Sequence, residues 1–127
     1  MRKTIIGLIA AFALAGCSAA PSTGSDGGPT VRGRFDSARL SCLAVGDLAD
    51  GGKTLLFDTK GKEDITGDRL EDVVCVLSKL GIPKSVTAHM DATRALDGQQ
   101  TDEWDGIKAR WSYHPDSGMR LTLVDAR

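Results

Sequence analysis

The stretch IKARWSYHPDSGMRLTLV, residues 107–124, decides the class of the fold. Ile107, Ala109, Trp111 and Tyr113 alternate with Lys108, Arg110 and Ser112. Met119, Leu121 and Leu123 alternate with Arg120 and Thr122. A period of two with one apolar and one polar side marks strands that keep one wet face. Pro115-Asp116-Ser117-Gly118 supplies tight-turn chemistry between them, so the two runs should form a hairpin.

Working toward the N-terminus, residues 84–93 also alternate. Val86, Ala88, Met90 and Ala92 stand against Thr87, His89, Asp91 and Thr93, which reads as a further strand. A long link, 95–106, joins it to the hairpin and carries Asp97-Gly98 and Asp105-Gly106. The spacing changes upstream. Leu70, Val73, Val74, Leu77 and Leu80 recur at threes and fours and predict a helix over 66–80. Thr66 is placed as its N-cap, Ile65 and Leu70 as a hydrophobic staple, and Gly81 and Pro83 as its stop. The run 54–58, TLLFD, reads as a short strand. Residues 39–45 are ambiguous. Leu40, Leu43 and Ala44 suit a helix, whereas Asp50-Gly51-Gly52 suits a hairpin into Thr54 and favours a strand. The expected class is α+β: a single helix packed on one face of a mostly antiparallel sheet of four to five strands.

The N-terminus reads differently. Arg2 and Lys3 precede an apolar run from Ile5 to Ala15, the layout of an export signal. The run is too short for a spanning helix, which needs roughly 20 residues. It ends in Leu14-Ala15-Gly16-Cys17, which resembles, residue for residue, the signal peptidase II lipobox of bacterial lipoproteins. That resemblance implies a thioether-linked diacylglycerol on Cys17, cleavage before it, and an acyl group that can follow on the new amino terminus, palmitate being one such chain. It requires no other cofactor. Stable anchoring takes two membrane signals, which several chains on one cysteine supply. The resemblance therefore implies an extracytoplasmic protein, lipid-anchored to the cell membrane.

Three segments follow: a signal peptide at 1–16, lipidated Cys17 with a flexible tether at 17–33, and a small extracytoplasmic domain at 34–127. The tether, SAAPSTGSDGGPTVRG after Cys17, is rich in Gly, Ser, Thr and Pro. Such a chain has a typical span of about 20 Å. Removing residues 1–16 takes away two bases and no acid, leaving 14 basic against 17 acidic residues, a charge of −3 instead of −1. That balance gives no support for nucleic-acid binding, which shows as a basic patch.

Two cysteines remain, Cys42 and Cys75. In an exported chain the expected state is a disulfide between them, with free buried thiols as the alternative. A redox pair at Cys-x-x-Cys spacing or a zinc site would need more. His89 and Asp91, on the polar face of the expected strand, are candidate binding residues, for a metal or a small molecule. His114 and Asp116 flank the turn. No Gly-x-Ser-x-Gly is present, and Asp102, Glu103 and Asp105 read as a solvated loop, so the expectation is a protein without catalytic residues. Trp104 has two readings: it plugs the edge of the core, or it stands exposed as a contact residue. Residues 90–104 with Trp111–Asp116 resemble small secreted or lipidated actinobacterial proteins of unknown function, over about Cys75 to the end. This implies a shared fold and an extracytoplasmic home, and carries no activity. The expected role is a non-catalytic module that contacts an envelope protein or cell-wall component.

Overall fold

The computed structural model describes residues 32–127. The signal sequence, Cys17 and the tether up to residue 31 lie outside them. Among the described residues the chain runs α1 (Arg34–Leu40), β1 (Asp47–Ala49), β2 (Thr54–Asp58), α2 (Leu70–Lys79), α3 (Lys84–Ala92), β3 (Gln100–Trp104), β4 (Ile107–His114) and β5 (Gly118–Asp125). The strands form one antiparallel sheet in the order β1-β2-β5-β4-β3. The class is α+β, with three helices instead of one. None of the described helices is long and apolar enough to cross a membrane.

The β4–β5 hairpin is the centre of the sheet. His114 pairs with Gly118 across the turn, Trp111 with Leu121 and Ala109 with Leu123. β2 extends the same rows through Phe57 and Leu55. Trp111, Leu121, Ala109, Leu123, Phe57 and Leu55 are buried, as are Val73, Val76 and Leu77 of α2, Val86 of α3 and Phe35 of α1. Residues one step out of phase, Leu56, Asp58, Lys108, Arg110 and Arg120, are exposed. Among the described residues only one face of the sheet is covered, as the alternation requires.

Four sequence expectations are corrected. First, α2 begins at Leu70, four residues after Thr66. Asp68 is tied to the end of β2: its N–H donates to the Asp58 carbonyl at 2.8 Å, and its carboxylate accepts the Asp58 N–H at 3.0 Å. Gly67 adopts φ +126° to allow it, and a Cβ there would lie 2.8 Å from the Asp58 carbonyl. Ile65 is 91% exposed and forms no staple. The far end of α2 follows expectation. Gly81 has φ +70°, its N–H donates to the Ser78 carbonyl, and that of Ile82 to the Leu77 carbonyl. This is the paired-bond glycine cap.

Second, residues 84–92 are a helix, not a strand. Val86, Met90 and Thr93 face the core at spacings of four and three, while Ala88 and Ala92 are exposed. Alanine is the best helix former and is depleted in strands, so its place in a period of two carries little strand preference. Third, residues 39–45 are not a strand. Phe35, Ala38 and Cys42 share a buried face, and the chain leaves α1 through Leu43 and Ala44, both with positive φ. The Arg39 guanidinium holds this turn by donating to the Ala44 carbonyl at 2.7 Å. The hairpin into Thr54 exists, but its first strand is β1. Fourth, the link 95–106 contains β3. Asp105 and Gly106 both take positive φ and join it to β4 in a two-residue turn. That is the geometry an Asp-Gly hairpin favours.

Two ties close the helical layer. Cys42 and Cys75 are joined in a disulfide between α2 and the end of α1. Arg34, at the start of α1, donates to both carboxylate oxygens of Asp125 at 3.0 and 2.7 Å and to the Asp105 carbonyl at 2.8 Å. The disulfide spans 33 positions, and cross-linking such a loop stabilises by about 3–4 kcal/mol in the chain-entropy model. Cys42→Ser is expected to lower folding stability by that order, measured from denaturant midpoints, and reduction of the parent protein should reproduce the loss.

Candidate functional site

His89 sits on the inner side of α3, above Trp111. The rings meet edge to face with centroids 4.9 Å apart. The Trp111 indole N–H donates to the Thr93 hydroxyl at 2.9 Å, and that hydroxyl donates to the His89 carbonyl at 2.8 Å. Both ring nitrogens of His89 are engaged. Nδ1 lies 3.2 Å from an Asp102 carboxylate oxygen and Nε2 3.2 Å from the Gln100 amide oxygen. The orientation of that amide is fixed from its other side, because its NH2 donates to the Asp97 carbonyl at 2.7 Å.

Two acceptors facing two ring nitrogens favour the imidazolium. The His89 pKa is raised above its ordinary 6.5, chiefly by the hydrogen bond to Asp102 and next by that to Gln100. Asp102 is held below its ordinary 3.8, chiefly by His89 and next by the Glu103 N–H, which donates to its other oxygen at 2.9 Å.

His89 and Asp91 do not share a sheet face, since both lie on α3. Two residues apart on a helix they point about 200° away from each other, and Asp91 is exposed on the far side. They cannot form the joint site that a strand would have given. Trp104 is 6% exposed and donates its indole N–H to the Leu80 carbonyl at 3.0 Å, so it plugs the core edge and is no contact residue. Its donor occupies one of the carbonyls that the end of α2 leaves free. His114 stays on the surface, its Nδ1 accepting from the Asp116 N–H at 3.2 Å. Among the described residues no three His, Cys, Asp or Glu side chains converge as a metal cluster.

The concavity that sequence reasoning missed lies between α2 and α3. Its enclosed part, about 150 Å³, is walled by Leu70, Val74 and Leu77 of α2 and Met90 of α3, with Met119 of β5 as floor. It opens into a wider cleft of about 520 Å³ bordered by Tyr113, Pro115, Lys60 and Lys62. Leu70 and Val74 are 56% and 50% exposed. The lysine loop is held down at Gly61, where a Cβ would collide with the Asp116 carbonyl oxygen. Backbone bonds from Lys62 N–H to Pro115 and from Glu63 N–H to Asp116, at 2.9 and 3.1 Å, fix it there. The groove depends on residues 84–92 being a helix, since a strand there would leave α2 without a second helical wall. The signal that could have found it was the surplus width of the α2 apolar stripe, in which Leu70 and Val74 exceed what the core takes up.

Comparison with protein-family models, curated proteins and solved structures finds no match to this chain.

The ion pair at α3 sets a pH dependence. The contribution of His89 to stability is fully present below its unfolded value of 6.5 and is lost as pH rises through the higher folded value. That of Asp102 is present above 3.8 and is lost as pH falls through its lower folded value. Both act together between pH 3.8 and 6.5. The Tm difference between the parent and His89→Ala is therefore expected to be larger at pH 5.5 than at pH 8.5. Thermal denaturation at the two pH values checks this, and an equal difference would separate His89 from the pH response.

Proposed function

We propose that this chain is an extracytoplasmic lipoprotein whose folded domain is a non-catalytic binding module held at the membrane by lipid on Cys17. The observation that carries the reading is Leu14-Ala15-Gly16-Cys17 at the end of an apolar run that follows Arg2 and Lys3. A thiol is the group that such lipidation needs, because sulfur is the nucleophile that takes the lipid. The Cys42–Cys75 disulfide agrees with an oxidising compartment outside the cytoplasm.

The partner is an envelope protein, a cell-wall component or a small molecule. The last of these is favoured by the groove between α2 and α3, which has the placement common to small-molecule sites between helices.

Intact-mass analysis of the membrane fraction tests the anchor. The expected mass is that of residues 17–127 plus two or three acyl chains, less the two hydrogens lost in the disulfide. Cys17→Ser is expected to leave the membrane fraction. A product that keeps its first sixteen residues and carries no lipid would overturn the reading.

A further inference from the structure

The groove between α2 and α3 combines an apolar trough with two lysines at one end. We propose that it binds a single-chain anionic amphiphile, its hydrocarbon tail between α2 and α3 and its carboxylate or phosphate head at Lys60 and Lys62. The inference rests on the domain being a binding module and is independent of the lipid on Cys17.

The tail site follows from what lines it. Leu70, Val74, Leu77, Met90 and Met119 give the enclosed part its apolar surface, and Ser78, Thr87 and Asp91 are the polar residues that line it with them. Leu70 and Val74 leave hydrocarbon in water that a tail would cover, which is favourable in proportion to the area removed from solvent. Methionine is flexible and polarisable, and it adapts to a chain of variable shape. The cleft, about 520 Å³, falls in the range of small-molecule sites, and the enclosed part adds about 150 Å³ of narrower space beside it.

The head site follows from charge and placement. Lys60 and Lys62 flank Gly61 on a loop pinned to the β4–β5 turn, so both line the same mouth. Neither is paired with a carboxylate among the described residues. Asp91 is the one acid among the described residues that border the groove, and it lies along the α3 wall, away from the lysine loop, where the Asp64 carboxylate accepts the Gly61 N–H at 3.3 Å. A second copy of the domain would bring lysines against lysines.

The test uses protein purified from membranes and reconstituted in phosphatidylcholine nanodiscs. The probes are a diazirine-bearing dodecanoate and the matching alcohol and trimethylammonium compounds, with crosslinks mapped by peptide mass. The acid is expected to label residues 70–90 at least threefold more than the alcohol and tenfold more than the ammonium compound. Competition with unlabelled dodecanoate and dodecyl phosphate distinguishes the two head chemistries. Lys60→Gln with Lys62→Gln should bring the acid down to the level of the alcohol. Leu70→Gln with Val74→Gln, both at exposed positions, should bring acid and alcohol down to background while the circular dichroism stays unchanged. Equal labelling by all three probes, label spread evenly to peptides holding Leu43 or Leu96, or indifference to the Leu70/Val74 pair would overturn the proposal. A protein acylated at Cys17 that fails here keeps its anchor and loses this ligand. An unacylated protein that labels as expected does the reverse.

Discussion

Trp111 has to bury a large ring and satisfy its indole N–H at once, and the packing of the helical layer turns on how it does so. It stands near the middle of β4, 1% exposed, opposite Leu121. A buried N–H without a partner would cost about 1–3 kcal/mol. The partner is the Thr93 hydroxyl, just past the end of α3, which ties the C-terminal end of that helix to the sheet. Once α3 is fixed there, His89 lies against the Trp111 ring and within reach of β3, and Met90 lies toward α2.

β3 is an edge strand, and its treatment follows from the same docking. Asp102 lies in the row of the sheet that faces the helices, where a carboxylate needs a partner. His89 supplies one, and the second oxygen of Asp102 takes up the Glu103 N–H. An inward charge of this kind on an edge strand discourages pairing with another chain. The opposite end of the domain is held by Arg34, which binds α1 to β5 and to the β3–β4 turn. Burial there opposes ionisation of Asp125, yet the Arg127 N–H and the Arg34 guanidinium outweigh it and hold that carboxyl below its ordinary 3.8. The domain thus closes with ties of three kinds: a covalent bond, a forked ion pair and indole hydrogen bonds to Thr93 and Leu80.

The groove is a by-product of two stop signals in succession. Gly81 ends α2 and Pro83 is the N-cap of α3, so only a short turn separates the two helices. The apolar stripe of α2 is wider than the sheet and α1 can cover, and α3 covers only part of the remainder. What stays open is bounded below by β5 and at one end by the lysine loop.

Some of this was fixed by local chemistry and can be read from residues alone. The β4–β5 hairpin, strand β2, and the body and glycine cap of α2 follow from periodicity and turn residues, and the domain holds two cysteines to pair. The covered and open faces of the sheet follow from the same alternation. Other features were settled by contacts between residues distant in sequence. The start of α2 moved to Leu70 because Asp68 is bonded to Asp58. Residues 84–92 satisfy both a period of two and a helical face, and the choice fell to the helix because Val86, Met90 and Thr93 meet the core together. His89 and Asp91 were parted by that same choice, and the groove came into being with it. Periodicity reports which side chains prefer to be dry. Where two periods fit one short run, only the surface available to pack against selects between them.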